Sequence, residues 1–82
     1  MIREHDRVVL TAAFREEGLE AGDIGAVVHV YPQQEAYEVE FVTLTGKTAA
    51  VVTVPAAQVR PVGSHEIPHA RELMNGRTSR MQ

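Results

Sequence analysis

The alternation of apolar and polar side chains predicts short β-strands over most of the chain. Strict period-two alternation runs from Tyr37 to Phe41, which places three apolar side chains toward a core and two glutamates toward water. Runs rich in β-branched residues predict four further strands, over residues 7–11, 26–31, 48–54 and 59–61. The pattern therefore predicts an all-β fold with five strands.

Glycine, proline and threonine mark the connections between these strands. Two glycines in residues 12–23 predict a long first loop rather than a helix. Residues 32–35 and 43–46 predict turns, and residues 55–58 predict one short 3-10 turn. This order of a long loop, two hairpins, a 3-10 turn and a last strand is typical of small SH3-like barrels, closed or half-open.

Three spaced glycines, Gly18, Gly22 and Gly25, lead from the first loop into the second strand. We expect Gly22 and Gly25 to supply unusual backbone angles there. Leu19 and Ile24 are then expected to close the end of the barrel. The spacing is not a dinucleotide-binding fingerprint, because the segment enters a strand rather than a helix.

The chain changes character after the fifth strand, which divides it into a barrel over residues 4–62 and a tail over residues 63–82. Pro68 in a first turn and a later Asn-Gly stop predict a short helix over residues 66–75. Residues 77–82 are expected to be disordered. A helix this short packs on the barrel, packs on a second chain in a homo-oligomer, or stays mobile, because it is marginal in isolation. Its docking stripe consists of Ile67, Ala70, Leu73 and Met74.

Composition and charge narrow the function. The chain has no cysteine, so disulfides, thiolate metal sites and thiol nucleophiles are excluded. Residues 1–62 carry five basic against nine acidic side chains, a charge of −4 that makes nucleic-acid binding unlikely. No apolar run has the length of a membrane span, and the first residues lack a signal-peptide pattern. We therefore expect a cytoplasmic protein with no membrane partner.

The segment from His65 to His69 is a literal match to the zinc pattern H-E-x-x-H. Zinc chemistry needs both histidines on one face of a regular helix, and Pro68 obstructs that helix. We therefore predict two solvated histidines, no metal and no cofactor. His29 is likewise expected on the outer face of its strand. No serine has the flanks of a nucleophile elbow, so no enzymatic activity is expected.

Several segments resemble known proteins. Residues 18–28 look like the KOW-type segment of SH3-like barrels. Residues 4–62 as a whole resemble the bacterial domain-of-unknown-function family numbered 4926. The segments that carry this resemblance are Asp6–Thr11, Gly22–Gly25, Val28–Tyr31, Tyr37–Phe41 and Val59–Pro61. The resemblance implies a small SH3-like barrel and no established enzymatic activity.

The favoured function is a non-catalytic interaction module that binds a protein partner, in the manner of an antitoxin or immunity protein. In SH3-like barrels the ligand surface lies between the first loop and the loop after the second strand. The predicted contacts are Phe14, Arg15, Glu16, Glu17, Tyr31 and Gln33. Phe14 either anchors its loop in the barrel, which is the favoured role, or contacts the partner.

Two alternatives come from other classes of protein. The KOW-like segment and the arginines of the tail suggest RNA binding or association with the ribosome. The more remote alternative is a small metal-binding or enzyme accessory subunit.

Overall fold

The structure, a computed structural model, describes residues 1–73 and contains all five predicted strands. Their bounds are β1 Arg7–Leu10, β2 Ile24–Val30, β3 Ala36–Val42, β4 Thr48–Pro55 and β5 Val59–Pro61. In the part of the chain that is described, the helical elements are 3-10 turns at Arg15–Glu17, Pro32–Gln34 and Ala56–Gln58. The third of these is the predicted 3-10 turn. The all-β prediction is therefore confirmed.

The five strands form one antiparallel sheet in the order β4-β3-β2-β1-β5. Each of β1, β2 and β3 has a strand on both sides, whereas β4 and β5 each have one neighbour. The sheet is not closed, because β4 and β5 do not pair with each other. The sequence predicts a barrel that is either closed or half-open, and the structure excludes the closed form.

One face of the sheet forms the core. Buried side chains from all five strands and from the first loop meet there, namely Val8, Leu10, Leu19, Val27, Tyr37, Val39, Phe41, Val52, Val54 and Val59. The predicted alternation of β3 is confirmed, since Tyr37, Val39 and Phe41 are buried and the two glutamates between them are not. Full burial of an aliphatic side chain stabilises a fold by about 1.5–3 kcal/mol, so this layer is the main source of stability.

An extra residue in β2 resets its alternation. The register with β3 shifts between Val27 and His29, which leaves Val28 as the additional residue of a β-bulge. Val27 lies in the core, whereas His29 pairs with Glu38 on the outer face. Val30 then returns to the inner side and packs against the core. The outward position predicted for His29 is confirmed, as its side chain is exposed.

Glycines serve two different purposes. Gly22 has φ +99° and Gly46 has φ +95°, backbone angles that residues with a Cβ rarely adopt. The unusual backbone angle predicted for Gly22 is therefore present. The same angle was predicted for Gly25, but that prediction is wrong, because Gly25 does not have a positive φ. A Cβ on Gly25 would lie 2.6 Å from Val39 Cγ1 and 2.8 Å from the Glu40 carbonyl oxygen. Gly25 is therefore required because β3 approaches it closely.

Residues 63–73 form an irregular segment, which we call the strap. The predicted helix over residues 66–75 does not form in residues 66–73, and its last two positions lie outside the described residues. An isolated helix of this length is marginal because nucleation is costly. In the strap, Glu66 and Arg71 instead bond to the body of the protein.

The apolar stripe predicted on that helix is dispersed in the strap. Ile67 and Ala70 are exposed, whereas Leu73 is half-buried and packs against the core. Met74 lies outside the described residues. Because residues 66–73 are not helical, Ile67, Ala70 and Leu73 do not share the face of a helix. Self-association through the stripe stays a prediction.

Candidate functional site

The predicted contact residues fall into two groups at opposite ends of β2. Residues 14–17 belong to the loop before β2, and Tyr31 and Gln33 follow its last residue. A strand of seven residues spans about 20 Å at roughly 3.3 Å per residue. In residues 1–73, no hydrogen bond or ion pair joins the two groups.

Phe14 anchors the first loop. Its side chain is half-buried and packs against the core. Its N–H donates to the Leu19 carbonyl at 2.9 Å, and the Leu19 N–H donates back at 3.0 Å. This bridge closes the loop around the 3-10 turn Arg15–Glu17, whose three side chains are exposed. The position agrees with the packing role favoured for Phe14.

Tyr31 takes part in a polar network on the outer face of the sheet. Its hydroxyl donates to Glu38 Oε1 at 2.9 Å, and the Thr53 hydroxyl donates to the same oxygen at 2.7 Å. The His29 ring packs edge-on against Tyr31, with 4.6 Å between ring centroids. The network links β2, β3 and β4, while Gln33 is exposed nearby with φ +59°.

Arg71 fastens the strap to the end of the first loop. Its Nε donates to Asp23 Oδ1 at 2.9 Å, and its Nη2 donates to Asp23 Oδ2 and to the Gly18 carbonyl, the latter at 3.0 Å. Asp23 also accepts the Glu20 N–H at 2.8 Å. Partial burial raises the pKa of Asp23, but these hydrogen bonds outweigh that effect and hold its pKa below the ordinary value. Asp23 is therefore ionised and paired at neutral pH.

A second ion pair holds the beginning of the strap. Arg60 donates to both oxygens of Glu66, at 3.0 and 2.6 Å, and the Gly63 N–H donates to Glu66 Oε1 at 2.6 Å. The bonds from Arg60, followed by that from Gly63, lower the pKa of Glu66 to about 2. The glutamate of the zinc-like pattern thus forms an ion pair with Arg60.

The two histidines of that pattern, His65 and His69, are exposed. They do not stand one turn apart on a helix, because residues 65–69 are not helical. Among residues 1–73, no three His, Asp or Glu side chains are grouped so that they could hold a metal ion. Within this part of the chain, the pattern therefore has neither the helix nor a third ligand for zinc.

A broad recess joins the strap to the sheet, and we call it the strap groove. Its walls are residues 67–73 of the strap, the start of β2, the end of β3 and the turn between β3 and β4. Large apolar side chains that are exposed to solvent line it: Ile24, Val42, Leu44 and Ile67. Apolar surface concentrated in this way is typical of interaction sites.

Ile24 is a correction to the sequence analysis. Leu19 is buried as predicted, but Ile24 is 39% exposed and lines the strap groove instead of closing the end of the sheet. Its partner across the ladder is Val9, whose neighbours Val8 and Leu10 point into the core. Ile24 therefore projects from the outer face of the sheet.

The charged residues around the strap groove are mainly acidic. Four carboxylates against two guanidinium groups give a local charge of −2, the acidic ones being Glu20, Asp23, Glu40 and Glu72 and the basic ones Arg7 and Arg71. Asp23 and Arg71 are paired with each other. The remaining rim is therefore three glutamates and one arginine, which favours a positively charged occupant.

No local sequence pattern predicts this groove, because it joins segments that are distant along the chain. Ile24 and Val42 lie within predicted strands or their margins, where an apolar residue is expected. Leu44 offered a local signal, since a large apolar side chain in the middle of a tight turn has no core to enter. The position of Ile67 depends on the strap, which the predicted helix did not anticipate.

Comparison with known proteins places the chain in a family. The profile of a family described as domain of unknown function (DUF4926) matches residues 4–61. No curated protein and no solved structure matches the chain. Nothing helical in residues 1–73 is long and apolar enough to span a membrane. The family match covers all five strands and ends before the strap. The chain therefore belongs to the DUF4926 family, as the resemblance of its sequence segments indicates.

Proposed function

We propose that this chain is a non-catalytic module that binds a basic, amphipathic segment of a protein partner in the strap groove. The observation that carries the proposal is the convergence of four exposed, large apolar side chains on one groove with an acidic rim. Soluble domains rarely leave such apolar surface uncovered unless a partner covers it.

The two most exposed side chains stand on different walls of the groove. Leu44, in the turn after β3, is 84% exposed, and Ile67, on the strap, is 82% exposed. An apolar side chain inserted between them removes surface from water on both sides, at about 25 cal/mol per Å². Glu20 and Glu72 lie at the rim, where a lysine or arginine of the partner would meet them.

A partner of this chemistry fits the antitoxin- or immunity-like role, in which an acidic protein covers a basic surface. The RNA-binding alternative has weaker support. Of the basic residues in the tail, Arg71 is engaged by Asp23, and Arg77 and Arg80 lie outside the described residues. RNA binding and the accessory-subunit role therefore stay predictions.

The test compares the wild-type chain with two variants. In Leu44→Asp/Ile67→Asp, charge replaces the apolar walls, while the control Val28→Asp changes an exposed apolar side chain outside the groove. Partners are captured from a lysate of the native host, identified by mass spectrometry and then titrated as purified proteins by calorimetry. We expect the control to bind as the wild type does and the double variant to bind at least about tenfold more weakly.

Salt gives an independent readout of the acidic rim. Affinity is expected to fall as sodium chloride is raised, because screening weakens attraction between charges near the surface. Equal binding by the double variant would contradict the proposal, and so would the absence of any specifically captured protein. Capture that depends on RNA and is lost on RNase treatment would support the RNA-binding alternative instead.

A further inference from the structure

The two edges of the sheet differ in how they are protected. At one edge, β5 has only three residues, two of which are Arg60 and Pro61. Charge, proline and shortness are the features that keep an edge strand from pairing with another chain. At the other edge, β4 has eight residues, none of them charged, and its proline is the last one. The unprotected edge is therefore that of β4.

The ladder between β3 and β4 shows which backbone groups of β4 face β3 and which face the open edge. Ala56 N–H donates to the Glu35 carbonyl at 3.0 Å, which continues the register of the two strands by one residue. In an antiparallel ladder, hydrogen-bonded and non-hydrogen-bonded pairs alternate. Counting back from Ala56, Val54 and Val52 direct their N–H and C=O groups toward β3.

The residues between them direct their backbone groups to the open edge. Val51 and Thr53 each present one N–H and one C=O there, and the N–H that Pro55 lacks would also have faced this side. At the other end of β4, the register shift between Phe41 and Val42 interrupts the regular ladder. The regular edge is therefore short, and Val51 and Thr53 are its two complete donor–acceptor residues.

We propose that this edge pairs with the same edge of a second copy of the chain, antiparallel and about a two-fold axis at Val52. Val51 of each copy then lies opposite Thr53 of the other. Each residue supplies one donor and one acceptor, so two such pairs form four hydrogen bonds. The result is a dimer with one continuous sheet across both copies.

The side chains of β4 suit this pairing with itself. On the outer face, Val51, which is 51% exposed, meets Thr53 of the second copy. On the inner face, Val52 meets Val52 of the second copy at the axis. Pairs of β-branched residues across antiparallel strands are stabilising, and no charge is brought against a charge.

The net charge of −3 per chain is not concentrated at the dimer axis. The glutamates nearest the axis, Glu38 and Glu40, lie on β3, one strand in from the edge. They are separated from their counterparts by three strand spacings, about 14 Å, which exceeds the Debye length of about 8 Å at physiological salt. Both carboxylates also accept hydrogen bonds from threonine hydroxyls of β4.

Sedimentation tests the proposal directly. The wild-type chain should change from 9.0 kDa to twice that mass within a range of about 1 μM to 1 mM. In Val51→Pro, two of the four hydrogen bonds are lost while the ladder with β3 keeps its donors, so dimerisation should weaken at least about tenfold. The control Val51→Thr keeps the N–H and should dimerise as the wild type does.

A thiol at the axis gives a second readout that does not depend on proline. The chain has no cysteine, so Val52→Cys introduces one thiol per copy. Non-hydrogen-bonded opposite residues have Cα atoms about 4.5 Å apart, a separation that a disulfide spans. Mild oxidation should give a covalent dimer of Val52→Cys and none of Val28→Cys. A chain that stays at 9.0 kDa throughout, or a dimer that neither variant affects, would overturn the proposal.

Discussion

The five-stranded body and the strap are held in place by different forces. The body is held by ten buried side chains that share one core. The strap is held by ion pairs of Arg60 with Glu66 and of Arg71 with Asp23 and, at 3.8 Å, with Glu20. Leu73 also packs against that core. Apolar burial accumulates over many side chains, whereas ion pairs near the surface are weakened by solvent. The packing of the body therefore determines the fold. The strap groove keeps its second wall only while the strap is attached to the body.

The largest expected effect comes from the centre of the body. Leu10 is 1% exposed, so Leu10→Ala leaves a cavity and should lower the free energy of unfolding by about 2–5 kcal/mol. Urea denaturation followed by circular dichroism measures the change. Leu44→Ala is the matched control on the wall of the groove, and it should change stability by less than about 0.5 kcal/mol. Equal losses for the two variants would contradict the assignment of Leu10 to the core.

The next effect concerns the close approach of β2 to β3. Gly25→Ala places a methyl group within 3 Å of Val39 Cγ1 and of the Glu40 carbonyl oxygen, so it should destabilise the body by about 1–3 kcal/mol. The urea midpoint measures this cost. The double variant Gly25→Ala/Val39→Ala removes the shortest of these contacts, so its loss should be smaller than the sum of the single losses. Simple additivity would show that the contact is not the cause.

A smaller and local effect is expected for the strap. Asp23→Asn removes the charge that Arg71 binds, which should cost about 1 kcal/mol or less in global stability. Hydrogen exchange in residues 66–73 should nevertheless accelerate, because the strap leaves the body without unfolding it. Glu20→Gln is the control, since Glu20 lies 3.8 Å from Arg71 and contributes less. Unchanged exchange in Asp23→Asn would show that the strap is held by other contacts.

The smallest effect is expected from acid. The pKa of Glu66 is lowered from 4.5 to about 2, so its contribution is complete above about pH 4.5 and is lost as the pH falls through 2. The pKa of Asp23 is also lowered, and its contribution disappears in the same direction. The Gly63 amide, which donates to Glu66, should report this titration by NMR. In Glu66→Gln that response should disappear, and a persisting response would assign it to another group.

Local patterns predicted the body and failed for the strap. The alternation from Tyr37 to Phe41 involves only consecutive residues. It therefore identifies a half-buried strand without knowledge of the neighbouring strands. The bond between Arg71 and Asp23 joins residues 48 positions apart, and no local pattern selects that aspartate among the acidic residues. The apolar spacing from Ile67 to Leu73 fits a helix, but the side-chain bonds at Glu66 and Arg71 favour another course.

The candidate site shows the same limit. Phe14 could be assigned to packing because an aromatic residue in a polar loop has few other roles. Gly25 was expected to need an unusual backbone angle, whereas its real constraint comes from β3 across the ladder. Ile24 was expected to close the end of the barrel because the predicted strand began at Ala26, whereas β2 begins at Ile24 and directs this side chain to the outer face.

The attachment of Arg71 also controls how fast trypsin can cleave the chain after this residue. Trypsin cleaves after arginine only when the guanidinium enters its own acidic pocket, and in the docked strap that group is already bound by Asp23. Cleavage between Arg71 and Glu72 therefore has to wait until the arginine is released. When release and rebinding are faster than cutting, the digestion rate at this bond is proportional to the released fraction. The rate of cleavage at this bond therefore measures how often the strap opens. Mass spectrometry can follow that rate in the unlabelled protein.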